Sequence, residues 1–424
     1  MYVKWIVLAA AVLMYALIVI FPAKKSFAAL GAALLMLILG AVSPMEALGE
    51  HINWTVLMIF VGSLVIAELF IYSRVPAVIA DSIVERSPNV GIAMVAILVM
   101  TGLISAFVEN VATVLVMAPI ALALCAKLKL DPSLFMVGLA VMANLQGTAT
   151  LVGDPPSMIF ADYAKYGFND FFFYRGKPGI FFAVQIGMIA GALFFYAFFV
   201  KNGRDKVAVE REKVLSMVPT ILLILMILGL AAASFIYGGI SLLSGIIVIA
   251  LAVAGLAWYR RREPWGKVWE MVKGLDWDTF LFLIGIFVVV GGVSSVGLLE
   301  DFAALLSRVV GNRVFLGFFL IVAVSTFISG FVDNVPYIIV MLPVAGSMAV
   351  SLSLKPELYM FALLIGSCMG GNLTPFGASA NVVSIGILRK QGISLNFGRW
   401  LKIGLPFTLL TTAAASAFIW LVWR

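Results

Sequence analysis

Long apolar segments separated by short polar stretches run along the whole chain. Several of them approach or reach the ~17–25 residues that a helix needs to cross a bilayer: 5–21, 54–71, 178–200, 215–236, 279–296 and 403–423. Lipid cannot satisfy backbone N–H and C=O groups, so such segments must form helices. The pattern predicts an all-α polytopic membrane protein.

The first half of the pattern contains two interruptions that a simple helix count does not explain. We predict helices at 5–21, 27–42, 54–71 and 178–200, an amphipathic stretch at 72–88, apolar arms at 90–107 and 112–126, and a run over 133–165 broken near 147–157. The two arms meet at Glu109-Asn110 without any connecting loop. We therefore expect a re-entrant hairpin over about 90–126 and a broken helix over about 133–165.

The second half repeats these features. A shift of 224 residues aligns 104–159 with 328–383 without a gap, with 19 identities in 56 positions. This predicts two repeats, 1–213 and 214–424, the second with a hairpin at about 313–350 and a broken helix at about 357–390. With each hairpin re-entrant, a half has five crossings, so the second half is inverted. The expected fold has about ten transmembrane helices, two hairpins and two broken helices.

The distribution of charged residues predicts how the chain is oriented in the membrane. Only 12% of the 424 residues are charged against 63% hydrophobic, and the net charge is +7. The predicted topology places 20 of the 28 Lys and Arg residues on one side, including the 201–213 loop. That side is expected to be cytoplasmic, with both termini outside the cell (inner) membrane. The partner of the basic residues is then the lipid bilayer rather than nucleic acid. The first apolar run lacks a small-residue cleavage site, so we expect a retained helix.

Oxygen and amide side chains gather at the predicted hairpin tips and helix breaks, where backbone groups also need partners. The candidate binding residues are Glu109, Asn110, Thr113, Thr148, Thr150, Gly153, Asp154, Asp333, Asn334, Asn372, Thr374, Gly377, Ser379 and Asn381. Ionisable groups at membrane depth are functional by default, although Glu109 and Asp333 also suit helix capping. No Lys or Arg lies near these breaks in the sequence, which argues against sulfate or citrate as substrate.

Three segments, FVENVATVLVMAP, GTATLVGDPPSMI and GGNLTPFGASANVV, resemble the ArsB/NhaD branch of the ion-transporter superfamily, with its citrate-transporter-like domain. That branch includes arsenite permeases, sodium/proton antiporters and the P protein. The resemblance implies elevator-type alternating access, a homodimer and, for arsenite permeases, a separate ATPase subunit. Asn110 and Asn334 match the Asn of a Ser-Asn-Thr signature at sodium and substrate sites. Glu109 and Asp333 replace its Ser, which weakens a dicarboxylate interpretation.

The residues and the resemblance together predict a secondary transporter. A carboxylate removed from water holds a proton more firmly, and a bound cation displaces that proton, so both compete for one site. We rank proton-coupled export of arsenite or antimonite first and Na⁺/H⁺ antiport second, with Na⁺ at Glu109, Asn110, Asp333 and Asn334. An oxyanion or dicarboxylate transporter, a passive channel and an intramembrane enzyme rank lower. The chain has no GxxxxGK[ST] run and a single His, so we expect neither its own ATPase nor a cofactor beyond coupling H⁺ or Na⁺.

Overall fold

The computed structural model describes residues 2–21, 24–200 and 212–424. Within these ranges the chain is nearly all helical, apart from two-residue strands β1 (Phe173–Tyr174) and β2 (Lys177–Pro178), which pair antiparallel. Most of the predicted basic loop at 201–213 lies outside the described residues.

Ten helices lie in the described part of the first half. They are α1 (Tyr2–Ile20), α2 (Lys25–Ile38), α3 (Pro44–Glu46), α4 (Trp54–Tyr72), α5 (Val75–Arg86), α6 (Val90–Ser105), α7 (Asn110–Leu128), α8 (Ser133–Gly147), α9 (Pro155–Ala164) and α10 (Ile180–Phe199). A π-helical turn (Ala47–His51) follows α3, and a 3₁₀ turn (Phe168–Phe171) precedes the strands. The first three predicted spans each lie within a few residues of an observed helix.

The described part of the second half also contains ten helices. They are α11 (Val218–Tyr237), α12 (Leu242–Arg262), α13 (Trp265–Gly274), α14 (Trp277–Ser295), α15 (Leu298–Val310), α16 (Val314–Ser329), α17 (Asn334–Ser351), α18 (Glu357–Gly370), α19 (Ser379–Lys390) and α20 (Phe397–Trp423). A 3₁₀ turn (Gly371–Leu373) follows α18. Helices α16 to α19 each begin 224 residues after α6 to α9.

Local sequence accounts for several helix ends. Asn53 and Asn89 accept the backbone N–H groups of Val56 and Ile92, both at 2.9 Å, and so cap α4 and α6. Between α7 and α8, Asp131 accepts the Ser133 N–H at 2.9 Å. Hydrogen bonds from Ser133 hold the pKa of Asp131 below its usual value.

Eight described helices are long and apolar enough to cross a membrane: α4, α7, α10, α11, α12, α14, α17 and α20. Five shorter apolar segments lie in α1, α2, α6, α8 and α16. The chain is therefore a nearly all-helical, multi-pass membrane protein, as predicted. The division at 213/214 and the re-entrance of the hairpins α6–α7 and α16–α17 stay predictions.

Helices from the two halves interleave. Helix α2 packs against α14, and α12 packs against α4, so each pair takes one helix from each half. Helices α8 and α18, which are almost completely buried, each precede a non-helical break, 148–154 and 374–378. Helix α7 contacts α19, and α17 contacts α9. These contacts bring both hairpin turns and both breaks to the middle of the structure.

Candidate functional site

A cavity of about 590 Å³ lies where the hairpin turns meet the breaks. Seven of the predicted binding residues line it: Glu109, Asn110, Asp154, Asp333, Asn334, Gly377 and Ser379. The ends of α1, α2 and α14 supply further wall residues, among them Ile20, Lys25 and Asp276. Tertiary folding thus joins residues that are more than 200 positions apart.

The two hairpin acids occupy matching positions. Glu109 precedes α7, and its carboxylate accepts the Ala112 N–H at 2.9 Å. Asp333 precedes α17, and its Oδ1 accepts the Val335 N–H at 3.1 Å. Both residues therefore cap a helix and line the cavity as well.

Asp154 lines the same cavity as these two acids. It is the residue before α9, but its side chain makes no capping hydrogen bond. Its carboxylate lies close to the side-chain amides of Asn110 and Asn334, and its charge interacts with those of Glu109 and Asp333. The repeat counterpart, Ala378, also lines the cavity. The acidic centre is thus asymmetric, because only the first break contributes a carboxylate.

The other seven predicted residues are buried behind the cavity wall: Thr113, Thr148, Thr150, Gly153, Asn372, Thr374 and Asn381. Thr150 donates a hydrogen bond to the Ala106 carbonyl, and Thr374 donates one to the Gly330 carbonyl. Each break is thereby tied to the turn of the hairpin in its own half. These threonines support the site rather than face a solute.

Asparagines connect the two broken helices, and one of them was missed by sequence reasoning. Asn144 of α8 donates from Nδ2 to the Cys368 carbonyl and to Asn372 Oδ1, both at 3.0 Å. Asn372 donates in turn to the Val141 carbonyl at 3.1 Å. The repeat counterpart of Asn144 is Cys368, so the repeat comparison gave no signal. The signal available was an amide inside the otherwise apolar VGLAVMANL.

Two glycines allow the breaks to fold back on their preceding helices. A Cβ on Gly153 would lie 2.4 Å from the Gly147 carbonyl oxygen. A Cβ on Gly377 would lie 2.6 Å from the Gly371 oxygen. Both distances are too short for any side chain, so the backbone crossing requires glycine at both positions.

The prediction that no cation lies near the breaks is wrong. Lys25, the first residue of α2, lines the cavity and places Nζ 2.9 Å from Asp333 Oδ2. The side chains of Lys25 and Asp333 are 13% and 28% exposed, respectively. The sequence argument failed because this contact joins residues 308 positions apart. The absence of a nearby cation therefore cannot be used to exclude an anionic substrate.

A fourth acid, Asp276, both caps a helix and lines the cavity. The helix is α14, where Oδ1 of Asp276 accepts the Thr279 N–H at 2.9 Å. Four carboxylates and one lysine thus line this cavity in the described part of the chain. Cys368 is buried and outside the wall.

The predicted sodium ligands all line the cavity, two from each hairpin. Glu109 and Asn110 lie at one hairpin turn, and Asp333 and Asn334 at the other. Over the described ranges, no group of three or more His, Cys, Asp or Glu side chains is close enough to hold a metal ion.

Known proteins are similar to this chain over most of its length. The model of the citrate transporter family matches residues 15–366 and 307–424. The uncharacterized transporter Rv2685 of Mycobacterium tuberculosis is 30% identical over 420 residues, which cover 96% of each chain. The P protein of Mus musculus is 25% identical over 96% of this chain, although the match covers only 58% of that protein.

Two solved structures share the fold. The Alcanivorax borkumensis YdaH transporter superimposes with a TM-score of 0.62 at 16% identity, covering 99% of this chain and 98% of that one. MtrF of Neisseria gonorrhoeae, described as one of a class of antimetabolite efflux pumps, gives 0.55 at 16% identity, covering 91% and 83%. These similarities establish the fold. An identity as low as 16% gives no information about the substrate.

Proposed function

The chain belongs to the citrate transporter family of the ArsB/NhaD ion-transporter superfamily, and from this premise we propose that it exports a small inorganic solute, arsenite or antimonite first, in exchange for protons. Its relatives and structural neighbours are membrane transporters and not enzymes. The chain is accordingly a membrane transporter, and the solute and the coupling ion are the proposed part.

The observation that carries the proposal is the charge of the cavity wall. Glu109, Asp154, Asp276 and Asp333 face one space, and the single lysine there is already paired with Asp333. A solute with net negative charge meets an excess of like charge, which costs free energy in a water-poor site. The wall favours solutes that are positive or uncharged and that donate hydrogen bonds to carboxylates.

The size of the cavity favours a molecule over a bare ion. A volume of about 590 Å³ corresponds to roughly twenty waters at about 30 Å³ each, and it lies in the range of small-molecule sites. Arsenite near neutral pH is largely an uncharged trihydroxide. Its three hydroxyl groups can donate to Glu109 and Asp154, while the amides of Asn110 and Asn334 donate back.

The matched family is described as citrate transporters. The charge of the cavity wall acts on citrate as on any other anion. Free citrate carries three negative charges at neutral pH and is opposed by the four acids of the wall. Citrate whose charge is cancelled by a divalent cation is not opposed in this way. The two forms are therefore separate arms of the experiment.

Na⁺/H⁺ antiport is the second candidate, and one observation favours it. Neither Glu109 nor Asp154 forms an ion pair with a Lys or Arg of the described chain. Two carboxylates without a built-in counter-ion suit either a proton or a monovalent cation. Competition between the two ions for these oxygens is sufficient for exchange.

The transport cycle we propose is alternating access of the elevator type. The hairpins and broken helices carry the site, and the interleaved pairs α2–α14 and α4–α12 form the scaffold. The proposal includes a homodimer in the inner membrane with both termini outside.

The test uses purified protein in liposomes with an acidic interior and an internal pH dye. Sodium, lithium, potassium, arsenite, antimonite, citrate and citrate with Mg²⁺ are added outside in turn. Alkalinisation by arsenite or antimonite alone supports the first candidate, and alkalinisation by sodium or lithium alone supports the second. A response to citrate only with Mg²⁺ assigns a charge-compensated carboxylate.

Matched variants complete the test. Glu109→Gln should abolish the response, whereas Glu300→Gln, an exposed acid of α15, should keep it. Flux without any solute response, or an equal response in Glu109→Gln, overturns proton coupling at this site. A requirement for a separate ATPase subunit would show as no flux under a pH gradient alone.

A further inference from the structure

Lys25 and Asp333 connect two parts of the structure that otherwise meet little. Asp333 belongs to the second hairpin, whose α17 packs mainly against α18, α15 and α9. Lys25 begins α2, which packs along α14. The 2.9 Å contact between Lys25 Nζ and Asp333 Oδ2 therefore spans from the scaffold to the turn of the hairpin.

Lys25 is held firmly on the scaffold side. Its neighbour Ser26 donates a hydrogen bond to Asp278 of α14, and the Lys25 ammonium lies 5.4 Å from the centre of the Phe282 ring, also on α14. Cation–π contacts of this kind stabilise a partly buried ammonium. Contacts with α14 thus position the lysine side chain independently of its ion pair with the hairpin.

A second polar contact joins the hairpin at the same place. Tyr15 of α1 donates from its hydroxyl to the Pro336 carbonyl at 2.6 Å, three residues beyond Asp333. Asp333 itself uses one oxygen for its own helix cap and the other for Lys25. Both contacts therefore hold the first turn of α17 against the α1–α2 end of the scaffold.

The first hairpin lacks both ties. Counted from the helix starts, the position of Lys25 in α2 is taken by Leu242 in α12, and that of Tyr15 in α1 is taken by Ala231 in α11. Glu109 keeps its helix cap and forms no ion pair within the described residues. Within the described residues, the second hairpin is thus bound to the scaffold by a charged contact and the first is not.

We propose that Lys25 is a positioning residue that latches the second hairpin to the scaffold through Asp333. The latch holds the carrier in the state seen here and keeps Asp333 paired, so that the solute engages Glu109 and Asp154 first. The inference rests on the proposed alternating access, because a latch matters only if the hairpin moves relative to α2.

The test measures a distance across the latch without any solute. Spin labels are placed at Ile38, at the far end of α2, and at Phe327, near the second hairpin turn; both side chains are exposed. Cys125 and Cys368, both buried, are first replaced by alanine. Ile38 lies roughly 20 Å along α2 from Lys25, at about 1.5 Å per residue, so its label does not disturb the ion pair. Pulsed electron–electron double resonance then measures the distance between the two labels.

Alternating access gives two distance populations, one with the second hairpin against α2 and one with it displaced. Lys25→Met should change their ratio in favour of the displaced state by about tenfold or more, the effect of losing one charge-assisted hydrogen bond. The double variant Lys25→Met/Asp333→Asn should show the same shift, since it lacks the latch but leaves no unpaired charge. The matched control Lys4→Met breaks the more exposed Lys4–Asp301 pair between α1 and α15 and should leave the distribution unchanged.

Three results overturn the latch. The first is a wild-type distance distribution in Lys25→Met. The second is a return to the wild-type distribution in the double variant. The third is the same shift in Lys4→Met. If Lys25→Met does not fold by gel filtration, Tyr15→Phe decides: a shift towards the state with the hairpin displaced from α2 supports the latch, and none overturns it. Because no solute is present, a shift without transport in liposomes separates failure of the proposed function from failure of the latch.

Discussion

Replacing Gly153 by alanine tests the crossing that forms the first break. The new Cβ would lie 2.4 Å from the Gly147 carbonyl oxygen and 3.0 Å from the Gly147 carbonyl carbon and Cα. Ordinary contact begins near 3.4 Å, so the backbone must move by about 1 Å. Overpacking of this kind in a buried site costs about 1–3 kcal/mol of unfolding free energy.

The matched control is Gly386→Ala in α19, where a Cβ meets nothing within 4 Å. Alanine in a helix interior is more stable than glycine by roughly 0.5–1 kcal/mol. An unfolding entropy of about 2.1 cal/mol/K per residue gives roughly 0.9 kcal/mol/K for 424 residues. We expect the Tm of Gly153→Ala to fall by about 1–3 °C and that of Gly386→Ala to rise by up to about 1 °C.

Thermal unfolding of both purified proteins in the same detergent measures this difference. Transport should be affected more than stability, because Asp154 follows Gly153 directly and a displacement near 1 Å can cost about a hundredfold in a positioned site. If Gly153→Ala unfolds at or above the temperature of Gly386→Ala and keeps wild-type flux, the close crossing at the break is refuted.

Three further predictions address the polar groups. Asp333→Asn should reduce solute-driven proton flux at least tenfold while the protein stays folded, and Glu300→Gln should not; wild-type flux in Asp333→Asn would remove its coupling role. Asn144→Leu leaves the Cys368 carbonyl and Asn372 Oδ1 without their donor, so its unfolding free energy should drop by about 2–6 kcal/mol at about 1–3 kcal/mol for each of the two unsatisfied groups; an unchanged Tm would contradict the network. The pKa of Asp131 is lowered by hydrogen bonds from Ser133, so its stabilisation is present above the unfolded value of about 3.9 and is lost as pH falls below it. The stability difference between wild type and Asp131→Asn should therefore shrink between pH 6 and pH 3, and a constant difference would argue against this bond.

Family membership and helix positions were within reach of sequence reasoning. The apolar segments had to be helices, since lipid offers no partners for the backbone, and Asn, Pro and Gly set where helices begin and end. The segment around Glu109 and the two break segments carried the resemblance to ion transporters, which the family match confirms. Seven of the fourteen candidate residues line the cavity.

The roles of the seven candidate residues behind the cavity wall were harder to predict from the sequence. Thr150 and Thr374 are indistinguishable in sequence from solute ligands, because an oxygen in a break can face either a cavity or a carbonyl. Their hydrogen bonds to hairpin carbonyls exist only once the hairpin lies over the break. Asn144 was missed for a related reason, since its partners Cys368 and Asn372 are more than 220 positions away.

The segments that enter the membrane and the acids at their breaks could be predicted from the sequence, because both follow from local hydrophobicity and backbone chemistry. Tertiary structure alone decided the charge of the site. Lys25 follows the first apolar helix and reads as a loop residue, yet packing of α2 along α14 brings it to Asp333 across 308 positions. Ion pairs act through space over a few ångströms, and sequence separation gives no measure of that distance.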